Sequence, residues 1–497
     1  MTEAASAQVA VDDPVSRHIV LTRTARLMTW AMVLVLAWLP LQTPVAIAVF
    51  QYGHSEALAR VTLILKDVTV ALLVLYGLAA TWRSIKLRWF DKVAIAFLFL
   101  IAIYSTVPWL LGSHLSFNSV AAAAREFSMP VECYALGRLA YLAGADLKFI
   151  FKAFVATSAA VAAIAVAEYF LLPIKFWSST LDLVTFERVV QQIKDAHSLR
   201  SISLLGDYGA GHRIYPRAIA TFTHPVGTGE YFVLPLGLAA AAWFSGLAGG
   251  RRLITAGLVG LTLLFGMAEI VTISRGHWVA AAIVIAVAGL VFHRVRLAFV
   301  CLVIAGSFVM VVPPFSYSIT SALNRTDSSA LGHIEAIGRD VQTSIQHVLG
   351  VGLGSADQII LTGSDKSGTS KTSGTSGTAD AETSATLGEN LYLSTLLSTG
   401  PLGAAAFIAW SLALVALLLR SARSSPQKWL VGGVAAALVG SLASAMSSAA
   451  LIRFTTAGSG WLLLGLATGL VLAVSPNAPS LTLPAWLSRR LKREPQV

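Results

Sequence analysis

Charged residues and cysteines are scarce in this chain. Of its 497 residues, 12% are charged, 56% are hydrophobic and 2 are cysteines. A typical soluble domain carries about 25% charged residues, so the low charge excludes a string of soluble domains. Cys133 and Cys301 lie far apart inside apolar runs, which excludes a disulfide framework and a cysteine-based metal site. We expect both cysteines to be small buried residues.

Apolar runs make up most of the chain instead. Counting from Met28, we find about twelve that are long enough to cross a bilayer as helices. The sequence therefore predicts an all-α fold, a polytopic membrane bundle of about twelve transmembrane helices. The predicted spans are 27–50, 57–81, 90–111, 118–142, 147–172, 219–245, 252–273, 276–293, 296–314, 388–419, 428–450 and 456–475.

The net charge of +11 follows the predicted topology and does not indicate nucleic-acid binding. Basic residues cluster at every second junction between the apolar segments, as in 83–92 and 420–428. Such alternation is typical of cytoplasmic loops, so both termini are predicted to be cytoplasmic. The first apolar segment also has features of a signal peptide. We interpret it as an uncleaved anchor, because every later basic junction then lies on the cytoplasmic side of the membrane.

The fourth apolar segment, 118–142, has two interpretations. It contains Arg125, Glu126, Pro130 and Glu132, so a bent or interfacial helix is an alternative to a span. If this segment did not cross, every later segment would reverse its orientation. The alternation of basic junctions favours a crossing.

This topology predicts two long extracytoplasmic segments. The first, 173–217, mixes apolar and charged residues in a pattern typical of an amphipathic helix on the membrane surface, centred on 181–195. The second, 315–387, is a large loop between helices 9 and 10, with helical apolar spacing over 330–348 and a Gly/Ser/Thr-rich tether at 362–386. The other regions are a cytoplasmic N-terminal tail (1–26), helices 1–5 (27–172), helices 6–9 (218–314), helices 10–12 (388–475) and a basic cytoplasmic tail (476–497).

Ionisable residues gather where the predicted helices meet the two outer segments. Structural roles remain open for several of them. Arg275 is a candidate anchor that snorkels to the head groups, and His224 is a candidate helix cap. Glu230 is a candidate partner for an arginine inside the bundle, and Glu389 a candidate for stabilising a helix N-terminus. The full set is Arg213, Arg217, His224, Glu230, Arg275, His277, Arg325, His333, Arg339 and Glu389, together with the adjacent polar residue Asn390.

Arginines dominate this set, and few acidic residues are present to neutralise them. A guanidinium group can donate hydrogen bonds to two diphosphate oxygens at once, and it keeps its charge at any pH. Such a site suits an anionic, lipid-linked donor that enters from the bilayer. No His, Asp and Glu residues have metal-ligand spacing, and the glycine run 350–354 lacks the lysine and the preceding strand of a P-loop. We therefore predict neither a metal nor another cofactor.

Four local stretches, in this order and topology, resemble the O-antigen ligase/polymerase superfamily. These proteins are membrane glycosyltransferases that act on undecaprenyl-diphosphate-linked glycans outside the cytoplasmic membrane. The resemblance covers most of the chain, including the large loop between the ninth and tenth helices. The stretches are Arg217 with Thr221-Phe222-Thr223-His224-Pro225; Ser274-Arg275-Gly276-His277-Trp278; the glycine run 350–354; and Glu389-Asn390-Leu391-Tyr392-Leu393 followed by Gly400-Pro401-Leu402-Gly403.

The resemblance implies a location, partners and catalytic residues. It places the chain in the bacterial inner membrane, with an active site facing the periplasm. The expected partners are a polyprenyl-diphosphate-linked oligosaccharide, an acceptor glycan and the lipid bilayer, with a chain-length regulator protein as a further candidate. Arg217 and Arg275 are expected to bind the diphosphate, and Glu389 to take the proton of the acceptor hydroxyl. The residues expected to bind substrates are Arg213, His224, His277, Asn390, Arg325, His333 and Arg339.

One departure from the family pattern affects the expected activity. Ligases of the family carry a histidine where this chain has Glu389, which favours a polysaccharide polymerase over a ligase. It also leaves His224, His277 and His333 as rival bases. The expected reaction is a single displacement that inverts the anomeric carbon and needs no metal. A ligase that transfers glycan to lipid A core or another acceptor remains an alternative, as does a flippase or transporter of a lipid-linked sugar.

Overall fold

The computed structural model describes residues 14–110, 117–172, 185–186, 189–190, 217–222, 224–324, 328–354, 390–452 and 454–474. Within these ranges the regular elements are 14 α-helices and 2 short 3₁₀ helices, without a strand. The predicted all-α class is therefore confirmed. The α-helices are α1 (Pro14–Gly53), α2 (Glu56–Thr81), α3 (Trp89–Leu110), α4 (Phe117–Leu142), α5 (Leu147–Leu171), α6 (Pro225–Phe244), α7 (Arg252–Val271), α8 (Arg275–Val291), α9 (Val295–Val311), α10 (Pro313–Leu323), α11 (Ser328–Gln346), α12 (Leu391–Ser421), α13 (Lys428–Ser444) and α14 (Phe454–Val474).

Each predicted span coincides with a helix, but the predicted number of membrane crossings is not confirmed. In the described part of the chain, 7 helices are long and apolar enough to cross a membrane: α1, α2, α3, α5, α7, α12 and α14. The number rises to 8 if α9 and α10, which meet at an angle of 88°, form one broken span. Helices α8 and α13 are shorter, at 17 residues each. Helices α4 and α6 contain carboxylates and prolines, which lower their hydropathy.

The helices differ strongly in how far their neighbours enclose them. Every residue of α6 is buried except Val226 and Trp243, because α7, α8, α13 and α14 pack around it. In α9, by contrast, only Ala298 and Val309 are buried. The exposed apolar surfaces of the outer helices need a lipid environment, whereas α6 is covered by protein.

Glycines allow the closest helix contacts. A Cβ on Gly137 of α4 would overlap the carbonyl oxygen of Leu462 in α14, and one on Gly465 would overlap that of Tyr134. Between α6 and α13, a Cβ on Gly237 would lie 2.8 Å from the carbonyl oxygen of Gly433. Small residues are the usual means by which membrane helices bring their backbones together.

The predicted outer segments are described only in part. The helix predicted at 330–348 is present as α11, whereas the tether 362–386 and the tail 476–497 lie outside the described residues. Of the amphipathic segment 181–195, only 185–186 and 189–190 are described, and Phe186 and Val190 pack against the end of α1. Helix α1 begins at Pro14, so it extends into the predicted N-terminal tail 1–26.

Candidate functional site

One end of the bundle collects several of the candidate residues. Here α5 and α7 end, α6 and α8 begin, and α13 ends close to the start of α12. Polar side chains from these helix ends contact one another or the connecting backbone. We call this region the polar end and define it by Glu168, 217–222, Glu230, Glu269, 272–277, Asn390 and Ser444.

Glu168, near the end of α5, holds the connection that leads into α6. Its carboxylate accepts hydrogen bonds from the backbone N–H of Ile219 at 3.1 Å and of Ala220 at 2.6 Å. Ala220 has a φ of +48°, a backbone conformation that costs free energy for any residue with a Cβ. The Thr228 hydroxyl donates to the carbonyl of Ile219 at 2.8 Å. The connection is therefore fixed from both sides.

A second strained turn, 272–274, joins α7 to α8. Ile273 is buried and has a φ of +49°, which is rare for a β-branched residue. Arg217 Nε donates to the carbonyl oxygen of Thr272 at 3.0 Å, and the next residue, Ala218, donates its N–H to Val271. Strained backbone persists only where its surroundings determine it, and it concentrates at functional sites.

Arg275 follows directly after this turn, as the first residue of α8. Its Nη1 donates to the carbonyl oxygen of Ser318 in α10 at 3.0 Å, and its side chain is half-buried. The structure therefore places Arg217 and Arg275 at the same turn: Arg217 contacts Thr272, and Arg275 directly follows Ser274. The contact with Ser318 also anchors α10 to this end of the bundle.

A buried polar network lies beneath the turn. His277 is 1% exposed, and its Nε2 lies 3.3 Å from Glu230 Oε2 while its Nδ1 lies 2.8 Å from Ser274 Oγ. The Ser444 hydroxyl donates to the same Glu230 oxygen at 3.0 Å. Among the described residues, Glu230 thus pairs with a histidine and a serine, and the arginine considered as a candidate partner is not found. Both ring nitrogens of His277 are engaged within the protein, which leaves neither for a substrate.

Two glycines make room for this network. A Cβ on Gly229 would lie 2.8 Å from His277 Cγ, and one on Gly276 would overlap the hydroxyl of Ser447. The glycines in the stretches 225–230 and 274–278 therefore serve close packing of α6, α8 and the end of α13.

Glu269, in the last turn of α7, differs from the other carboxylates. It is 1% exposed, and within the described ranges neither of its oxygens has a hydrogen-bond partner. Ionisable groups at such positions in a membrane protein are costly and tend to have a function.

Two predicted substrate-binding residues act as helix caps. Asn390 Oδ1 accepts from the N–H of Tyr392 and Leu393, and its Nδ2 donates to the carbonyl of Met446 at 2.9 Å. His224 Nδ1 accepts from the N–H of Val226 at 3.1 Å, which matches the capping role considered for it. Asn390 thereby ties the start of α12 to the end of α13.

The remaining candidates are not brought to the polar end by any described contact. Arg339 is half-buried on α11. His333 lies on the same helix, but its side chain is outside the described part of the structure, as are the whole residues Arg213, Arg325 and Glu389.

The glycine run 350–354 lies against α3 and α12. The N–H of Val351 donates to Leu397 in α12 at 2.7 Å, and that of Leu353 donates to Tyr104 in α3 at 3.1 Å. Gly400 faces this contact with a φ of +66°, where α12 is kinked, and the Tyr104 hydroxyl donates to the carbonyl of Leu349. The glycines at both positions thus allow close backbone contact, and the run does not form a phosphate loop.

Sequence reasoning missed part of this arrangement. No sequence pattern assigns Glu168 its contacts, although its carboxylate holds the connection before α6. Ser274 entered only as part of the stretch 274–278, and Ser444 was not singled out, because serines inside apolar helices are common. The available signal was the presence of Glu168, Glu230 and Glu269 at membrane depth.

Among the residues that the structure describes, no three His, Cys, Asp or Glu side chains form a group that could hold a metal ion. In the comparisons with known proteins, no family model matches the chain, and no curated protein matches it either.

Proposed function

We propose that this chain is a bacterial inner-membrane glycosyltransferase that polymerises a polysaccharide, such as an O-antigen or exopolysaccharide. In this proposal about twelve helices cross the bilayer, and the polar end faces the periplasm. The observation that carries the proposal is that Arg217 contacts the strained turn 272–274 and Arg275 directly follows it. Two guanidinium groups at a membrane surface suit the diphosphate of a polyprenyl-linked donor.

In the proposed reaction the two arginines act on the leaving group. The acceptor hydroxyl attacks the anomeric carbon of the donor from the face opposite the diphosphate, and the bond from that carbon to the diphosphate oxygen breaks. The polyprenyl diphosphate leaves with the bonding electrons, and Arg217 and Arg275 stabilise its growing negative charge. The configuration at the anomeric carbon is inverted.

The proton of the acceptor hydroxyl needs a base. We assign this role to Glu389, which directly precedes the capping residue Asn390 in the sequence. His277 is a poor candidate, because it is buried and hydrogen-bonded through both ring nitrogens. The buried pair of His277 and Glu230 instead positions the start of α8, and with it Arg275.

The direct test is a reconstitution with one substrate. Purified protein in liposomes receives a single polyprenyl-diphosphate-linked repeat unit, and the products are separated by size. A ladder of longer lipid-linked chains supports the polymerase. Without a ladder, transfer of glycan after addition of lipid A core would instead identify the ligase.

The buried carboxylate of Glu269 favours a transporter of lipid-linked sugar as a second candidate. Transporters use unpaired ionisable groups inside the bundle, and Glu269 has no hydrogen-bond partner among the described residues. The same liposomes distinguish this function, because a transporter would move the unchanged substrate across the bilayer without lengthening it. A Glu269→Gln variant that moves no substrate while keeping its fold would support transport.

A further inference from the structure

A second polar feature lies at the opposite end of the bundle from the polar end. There, a cavity of about 370 Å³ opens between the end of α6, the α8–α9 turn and the α12–α13 junction. Its lining includes the rings of Phe244 and Phe292 and the side chains of His293, Arg294, Arg423 and Lys428.

The charges around this cavity have one sign. Its lining contains two arginines and a lysine but no carboxylate. In the described ranges, none of these three cations forms an ion pair with an acidic side chain. A concave site of uncompensated positive charge attracts an anion.

Hydrogen bonds to the end of α8 fix the positions of Arg294 and Arg423 beside the opening. His293 adopts a φ of +56° after α8, and the N–H of Arg294 donates back to the carbonyl of Gly289 at 2.7 Å. Arg423 Nε donates to the carbonyl of Val291 at 2.8 Å, and its Nη2 donates to that of Leu290 at 3.1 Å. Arg423 therefore caps α8 from the α12–α13 junction and fixes one wall of the cavity.

The surroundings of the cavity are apolar. Leu290 at the end of α8 is 58% exposed and Val295 at the start of α9 is 53% exposed. A ligand seated among the cations would thus lie beside apolar helix surface that faces the bilayer. This combination fits a molecule with an anionic head and an apolar tail.

We propose that this cavity binds the head group of an anionic phospholipid. The phosphate would lie between Arg294, Arg423 and Lys428, and the acyl chains would follow the surface beside Leu290 and Val295. Basic pockets between transmembrane helices bind anionic head groups in this way. The site is separate from the proposed glycosyl transfer and does not depend on it.

The test measures lipid binding by the full-length protein in a non-ionic detergent. Short-chain phosphatidylglycerol, short-chain phosphatidylcholine and inorganic phosphate are titrated separately by calorimetry. The variant Arg294→Gln/Lys428→Gln removes two cations whose side chains make no hydrogen bond in the described part of the chain. The matched control, Arg251→Gln/Arg252→Gln, removes two exposed cations from the same end of the bundle, outside the cavity lining.

We expect phosphatidylglycerol to bind the wild type with much higher affinity than either other probe. Each basic residue near an anionic head group contributes a factor of about five, so the double variant should weaken binding about 25-fold. The control should change it less than about threefold. Equal binding of inorganic phosphate would overturn the assignment to lipid, and equal weakening by the control would overturn the assignment to this cavity.

Discussion

Helices α6 and α9 have similar lengths but opposite surroundings. Helix α6 is buried almost throughout and carries Glu230, glycines and prolines, whereas α9 is largely exposed and its apolar side chains face outward. A helix that faces lipid must be apolar, because lipid cannot satisfy polar groups. A helix that is enclosed by other helices is free of this requirement, since protein partners satisfy its polar side chains.

This difference explains where the candidate site lies. Glu230, His277 and Ser444 belong to α6, α8 and α13, and none of these helices is among the seven that are long and apolar enough to cross a membrane. The network can stay buried because α6 and α13 are enclosed and α8 packs one face against both of them. The same network fixes the start of α8, where Arg275 lies.

The largest expected effect is on stability, and it appears when a glycine in a close helix contact is compared with a glycine on an outer surface. Gly465→Ala in α14 would place a Cβ against the carbonyl of Tyr134, so it should lower the free energy of unfolding by about 3 kcal/mol or more. Gly260→Ala in α7 has open space around its Cβ and should leave the melting temperature unchanged or higher. Thermal melting in detergent measures both, and equal tolerance of the two would contradict the packing described here.

The next largest effect is expected on glycosyl transfer, when Arg275 beside the turn 272–274 is replaced. Arg275→Ala should lower glycosyl transfer about 100-fold, because one of the two groups that stabilise the leaving diphosphate is lost. Arg275→Lys keeps the charge and one donor for Ser318, so it should remain folded but still lose most activity.

The matched control for Arg275 is Arg252→Ala, at an exposed position on the opposite end of the bundle. It should retain full activity in the same liposome assay. If Arg275→Ala kept more than about a tenth of wild-type turnover, the assigned role in stabilising the leaving group would be wrong.

A smaller effect tests the buried network itself. Glu230→Ala leaves His277 and Ser444 without their shared acceptor, so it should lower the free energy of unfolding by about 1–3 kcal/mol. Glu230→Gln keeps an oxygen at this position and should lose less than half of that amount. Thermal melting measures the stability of both variants. A larger loss of stability for Glu230→Gln than for Glu230→Ala would contradict the assigned contacts.

The smallest effect is expected at an exposed carboxylate. Glu56 in the first turn of α2 pairs with Arg60 four residues later, and both side chains are partly exposed. Glu56→Ala should change the free energy of unfolding by about 0.5 kcal/mol or less. A change as large as that of Glu230→Ala would remove the distinction between enclosed and outer charges.

The sequence predicts the helices much better than it predicts the site. Each predicted apolar segment coincides with a helix. This prediction succeeds because the hydropathy and length of a segment can be read from consecutive residues alone. Glu230 and His277 are 47 residues apart, and Glu168 and Ile219 are 51 apart. Such pairs depend on how the helices pack, which a single sequence does not contain. Hydropathy also gives α6 too low a score as a candidate membrane span, because an enclosed helix can carry polar residues that its protein neighbours satisfy.

The central claim is that the enclosed helices α6 and α13 cross the membrane and carry the polar end to the outer side. Single cysteines at Leu247, Ser424 and Met446, which lie in exposed connections, test it in a Cys133→Ala/Cys301→Ala parent. A membrane-impermeant thiol reagent applied to intact cells should label Met446→Cys alone. Leu247→Cys and Ser424→Cys should react only after the cells are opened. Labelling of Ser424→Cys and Met446→Cys from the same side would show that α13 does not cross and would contradict the account.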